Sequence, residues 1–123
     1  MTALITEVNE AAEYTFRTGD TSDFIYIRPL GLGGAVIDGN WSCSQVVKDL
    51  DENVVIAEAA VTTKSTDTTE FKCFLTPTQT ANLQPSGKYQ EYTWMIQLSN
   101  STLTPPIVRE THIRIGVYRQ GVS

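Results

Sequence analysis

From Tyr14 to Tyr118 the chain runs in short stretches of alternating apolar and polar side chains, the period of a strand with one buried face. Tyr14 to Thr18 predicts a first strand, ended by a Gly19-Asp20 turn, and Phe24 to Arg28 a second, ended by Pro29. Gly31-Leu32-Gly33-Gly34 and Asp38-Gly39 predict a mobile loop around Ala35-Val36-Ile37. Trp41 to Lys48 and Val54 to Thr62 predict a third and a fourth strand. The turn between them, Asp49-Leu50-Asp51-Glu52-Asn53, contains residue types that tolerate positive φ. Thr69 to Leu75 predicts a fifth strand, with Phe71, Cys73 and Leu75 on one face. Lys88 to Ser99 sets Tyr92, Trp94, Ile96 and Leu98 against Glu91, Thr93 and Gln97, until Thr104-Pro105-Pro106 breaks the run. The last strand, Ile107 to Tyr118, turns Ile113, Ile115 and Val117 inward and His112, Arg114 and Tyr118 outward.

Two segments depart from the period of two. Thr76 suits a helix N-cap, Pro77 the first helical position and Gln79 the reciprocal place in a capping box, so a short helical turn is predicted near residues 76–83. Ala81 and Leu83 would close it against the core, and Pro85-Ser86-Gly87 would end it. At the start, Leu4, Ile5, Val8, Ala11 and Ala12 recur at helical spacing, with Glu7, Asn9, Glu10 and Glu13 opposite. That stretch is too short to hold as an isolated helix. It predicts an N-terminal arm, residues 1–13, that orders against a neighbouring subunit, ahead of one domain over residues 14–123.

About seven strands with no βαβ alternation predict an all-β fold, an antiparallel two-sheet β-sandwich, with a closed barrel as the alternative. Trp41 and Trp94 are the expected centre of its core. A chain of 123 residues buries about two-thirds of its unfolded surface and folds without a disulfide or metal staple. Cys43 and Cys73 lie inside strand-like runs with no metal-ligand spacing, so they read as reduced core thiols, with a disulfide between facing strands as the alternative.

Charge narrows the function. A net charge of −5 disfavours a nucleic-acid binder, which needs a basic stripe, and also disfavours docking on an anionic membrane. No apolar run approaches a membrane span, and the acidic start does not read as a secretion signal. Residues 1–58 carry ten acids against three bases and residues 59–123 four against six, which makes the halves −7 and +2. If folding keeps these as opposite surfaces, they favour head-to-tail contacts between copies.

Candidate chemistry is sparse. His112 lies on the polar phase of its strand beside Arg114, with no nucleophile motif near it in sequence. Asp20 with Asp23, and Asp49 with Asp51 and Glu52, are turn carboxylates with no apolar partner nearby in sequence to raise a pKa. Neither the Asp49 cluster nor Gly31 to Gly34 matches the register of a calcium or phosphate loop. No cofactor is expected.

Three segments carry a family likeness: Phe16-Arg17-Thr18-Gly19-Asp20-Thr21, then Leu75-Thr76-Pro77-Thr78-Gln79-Thr80-Ala81-Asn82-Leu83, then Gly87-Lys88-Tyr89 opening a long aromatic strand. With the closing run Thr111 to Val117, they resemble small β-sandwich virion proteins of tailed bacteriophages, similar to the N-terminal domains of baseplate upper proteins. The likeness spans roughly residues 14–118. It implies an immunoglobulin-like or related sandwich, no catalysis, and a building block of the virion that forms a homo-oligomer and contacts other virion proteins. The Gly31 to Asp38 loop is richer in glycine than that pattern.

The expected function is therefore a non-enzymatic bacteriophage structural protein of the tail, baseplate or head fibre. Its interface candidates are Leu4, Ile5 and Val8 of the arm and the tyrosines Tyr26, Tyr89 and Tyr118. A carbohydrate-binding β-sandwich module is the alternative and would need Trp41 or Trp94 at the surface. A small hydrolase using Asp20, Asp23 or His112 ranks last.

Overall fold

The strongest alternation in the sequence builds the backbone of the fold. A computed structural model describes residues 2–3, 14–29, 37, 39–66 and 68–119. Its elements are β1 (Thr2–Ala3), β2 (Tyr14–Arg17), β3 (Ile25–Ile27), β4 (Ser42–Lys48), β5 (Val54–Ala60), β6 (Phe71–Cys73), α1 (Pro77–Thr80), β7 (Tyr89–Asn100) and β8 (Ile107–Tyr118). Strands β7 and β8 form a hairpin paired without a break from Tyr89↔Tyr118 to Asn100↔Ile107. Asn100 closes its tip, its Oδ1 accepting from the Thr102 N–H at 3.0 Å.

The chain makes two sheets, a five-stranded one ordered β2-β8-β7-β4-β5 and a three-stranded one ordered β1-β3-β6. One expectation is corrected here. The sheets are mixed, since β2 runs parallel to β8 and β1 parallel to β3. Tyr14 and Phe16 pack on the core whichever way their neighbour runs, so alternation alone carries no strand direction. Of the arm, Thr2 and Ala3 pair with Tyr26 and Ile27. Leu4, Ile5 and Val8, like Gly31 to Gly34 and Asp38, lie outside the described residues.

Inside, Ile25, Ile27, Cys43, Val47, Phe71, Cys73, Leu75, Tyr92, Trp94, Ile96, Leu98, Ile113, Ile115 and Val117 form one buried cluster. Trp94 is wholly buried, whereas Trp41 is only half-buried and packs at the rim, so the two do not share the centre as expected. The two sheets converge where the chain leaves β5. The Val61 N–H donates to the Cys43 carbonyl at 2.8 Å, and the Thr63 carbonyl accepts from the Lys72 N–H at 2.9 Å. This segment thus crosses from one sheet to the other as a corner. Strand β5 itself is irregular, with register shifts opposite β4 between Gln45 and Val47 and between Val47 and Lys48.

The capping box forms as the sequence predicts: the Gln79 N–H donates to Thr76 Oγ1 and the Thr76 N–H to Gln79 Oε1. Leu83 is buried as expected, but Ala81 is exposed and serves as the C-cap. Thr80, fully buried, joins this turn to the β2–β3 connection. Its Oγ1 accepts from the Gly19 N–H at 3.1 Å and donates to the Asp20 carbonyl at 2.7 Å. Thr18 Oγ1 donates to the Leu83 carbonyl at 2.7 Å. Gly19 takes φ +89°, a region where a side chain is strained.

In the β4–β5 turn the positive φ, 67°, falls on Glu52 rather than on an Asn or Asp. Asp49 organises this turn, with Oδ1 accepting from the Asn53 and Asp51 N–H groups, each at 2.9 Å, and Oδ2 from Asn53 Nδ2. The Asn53 amide, followed by the Asn53 side chain and the Asp51 amide, holds the Asp49 carboxyl below its ordinary value of 3.8. Because the folded value is the lower one, the turn's stabilisation is present above pH 3.8 and lost as pH falls through the folded value. An NMR titration should therefore show the Asp51 and Asn53 amides shifting together, with a midpoint below 3.8.

Candidate functional site: aromatic clusters on the outer faces

The polar phases of the strands face outward, and at two places they carry aromatic rings. On the large sheet, Tyr89 and Tyr118 are directly cross-strand, their ring centroids 4.8 Å apart and tilted by 52°. They stay 38% and 43% exposed, so part of each side chain remains open to contact. Arg17 is paired with Tyr118 from β2, so the order across the face is Arg17, Tyr118, Tyr89.

Gly116 makes room for this pair. A Cβ there would fall 2.6 Å from Tyr89 Cε1 and 2.7 Å from Cζ, inside the space of the ring. Tyr89 thus lies over a bare stretch of β8, held by its backbone. Its hydroxyl donates to Glu91 Oε2 at 3.2 Å, and Glu91 Oε1 accepts from Arg114 Nη1 at 3.1 Å. Burial first, then the Glu91 carboxylate, push the Tyr89 phenol above its ordinary value. It therefore stays protonated at neutral pH and serves as a donor.

The three-stranded sheet carries a second cluster. Phe24 and Phe74 meet edge to face at 5.4 Å, and Lys72 Nζ sits 4.2 Å from the Phe24 ring centroid and 5.9 Å from that of Phe74. Such an ammonium is attracted by the negative ring face. Tyr26 is paired with Lys72 across β3 and β6. Phe24 is 44% exposed.

Of the tyrosines singled out by sequence, Tyr89 and Tyr118 come together and Tyr26 belongs to the other sheet. Phe24, Phe74 and Lys72 were missed as a site. Their signal was there, because Phe24 and Phe74 occupy the outward phase beside Ile25 and beside Cys73 and Leu75. Only the β3–β6 pairing brings them within contact.

The candidate catalytic residues are placed differently. His112 is half-exposed, its Nε2 3.4 Å from Glu110 Oε1. Asp20 and Asp23 are exposed in the β2–β3 connection, where the Asp20 backbone carbonyl bonds Thr80. Lys48, Asp49, Glu52, His112 and Arg114 line one cleft, so acids of the first half and bases of the second meet there within one molecule. Among the described residues, no group of three or more His, Cys, Asp and Glu could hold a metal ion, and no helix is long and apolar enough to cross a membrane. No protein-family model matches the chain, and no curated protein matches it in sequence.

Proposed function

We propose that the chain is a non-enzymatic structural module of a bacteriophage virion, in the tail, baseplate or head fibre, acting by assembly with copies of itself and with other virion proteins. The observation that carries this reading is the placing of exposed aromatic rings at outward-facing positions, Tyr89 and Tyr118 on strands of the large sheet and Phe24 beside β3 of the small one. Rings fixed in this way give contact area at small entropic cost, which suits interface anchors. The phage-like segments also have a mechanical role in this reading. Through Thr18, Gly19 and Thr80, the Phe16 to Thr21 and Leu75 to Leu83 stretches become one hydrogen-bonded joint that stiffens one end of the sandwich.

Absolute mass in solution, by size-exclusion chromatography with light scattering over two decades of concentration, tests the reading. The expected result is an oligomer of fixed copy number for the native chain. The Tyr89→Ala, Tyr118→Ala double variant should stay folded and dissociate at concentrations at least about tenfold higher, as loss of paired aromatic anchors entails. A monomer at every concentration would remove self-assembly. A carbohydrate-binding module would then rest on the half-buried Trp41 and the exposed tyrosines, because Trp94 is wholly buried.

A further inference from the structure

We propose that Cys43 and Cys73 are a disulfide-forming site: exchange with a small-molecule or protein disulfide converts them into a covalent clamp between the two sheets. In this structure both are free thiols, both buried, with their Sγ atoms 3.9 Å apart. A disulfide bond spans about 2.0 Å, so the sulfurs must close by about 1.9 Å shared between two side chains.

The backbone already brings them near. Cys43 faces inward from β4 of the large sheet, and Cys73 from β6 of the small one. Residues 61–63 bond β4 at the Cys43 carbonyl and β6 at the Lys72 N–H. Lys64 and Phe71 continue the second pairing as an isolated bridge. The cysteines therefore stand at the corner where the sheets converge, one spanning chain segment from each other.

As folded, the pair is held in its unreactive form. The hydrogen bond with Cys43 and then burial push the Cys73 thiol far above its ordinary value, which suppresses the thiolate that attacks disulfides. Exchange thus takes place when the corner opens or while the chain folds. One deprotonated cysteine attacks the oxidant's disulfide, forming a mixed disulfide and releasing one thiol. The second cysteine, also deprotonated, attacks the cysteine sulfur of that mixed bond. A second thiol leaves, so two electrons pass from the cysteines to the oxidant, which is recovered as two thiols.

The clamp closes a loop between positions 30 apart in sequence and removes that loop's freedom from the unfolded chain. The expected gain is a melting temperature higher by on the order of 10 °C.

Refolding the native chain from denaturant in glutathione buffers of increasing oxidised fraction tests the proposal. The products would be alkylated under denaturing conditions and weighed intact. The expected product is a monomer about 2 Da lighter, with no alkyl adducts, whose raised melting temperature returns to the reduced value on adding dithiothreitol. The Cys43→Ala variant should show neither change. Three outcomes would overturn the idea: two alkylated thiols at every buffer ratio, glutathione adducts with no internal bond, or an internal bond that lowers the melting temperature.

Discussion

Replacing Gln45 by leucine is expected to cost about 3 kcal/mol of folding stability, roughly 10 °C in melting temperature for a chain of this length. Gln45 is buried on β4 between Cys43 and Val47, and both ends of its amide are used. Oε1 accepts from Trp94 Nε1 at 3.1 Å, and Nε2 donates to the Phe74 carbonyl at 3.0 Å. The side chain therefore ties two neighbouring strands of the large sheet to the chain leaving β6 of the small one. Leucine, shorter by one bond and wholly apolar, keeps the position filled, but it strands an indole N–H and a carbonyl at about 1–3 kcal/mol for each fully buried group. The carbonyl is only partly buried, which keeps the sum below its upper bound.

Chemical denaturation of Gln45→Leu, Trp94→Phe and the double variant checks this. The double variant should cost clearly less than the two single changes added, because the second removes a group already stranded by the first. Strict additivity would mean that the indole bond contributes nothing to stability.

Thr80→Val should cost about 2–3 kcal/mol, and Thr80→Ser only about 1 kcal/mol. Valine keeps the shape of threonine and deletes the hydroxyl, which leaves the Gly19 N–H and the Asp20 carbonyl without their partner. Serine keeps both bonds and gives up one buried methyl. The ordering decides between polar and apolar explanations of this joint. A serine variant as unstable as the valine one would show that methyl packing, rather than the hydroxyl, holds the helical turn to the β2–β3 connection. Melting curves of the two variants beside the native chain are enough.

These two residues also mark how far the sequence could be read. Thr80 sits in a segment whose capping box, Thr76 with Gln79, was legible because every partner lies within four residues. Its own partners lie 60 and 61 residues away, and nothing local announces them. Gln45 was not singled out in the sequence, since a polar residue inside an apolar strand does not by itself show which face it takes; its burial and its two partners emerge only in the fold. Those partners, Trp94 and the Phe74 carbonyl, depended on how two sheets face each other.

By itself the sequence determined the local structure: the strand phases of β6 to β8, both ends of β8 and the capped turn. Each follows from side-chain alternation or from groups a few residues apart. It also supplied the aromatic residues that now stand on the outer faces. Only the tertiary structure decided that β2 runs parallel to β8, that Trp41 yields the centre to Trp94, and that β5 breaks register. The same holds for the contact of Tyr89 with Tyr118 beside Gly116, the Lys72 contact with Phe24 and Phe74, and the meeting of Cys43 with Cys73. The reason is common to all of them. Alternation fixes which way a side chain points, but strand neighbours, direction and register come from pairings between residues far apart in the chain. No short-range pattern encodes those pairings.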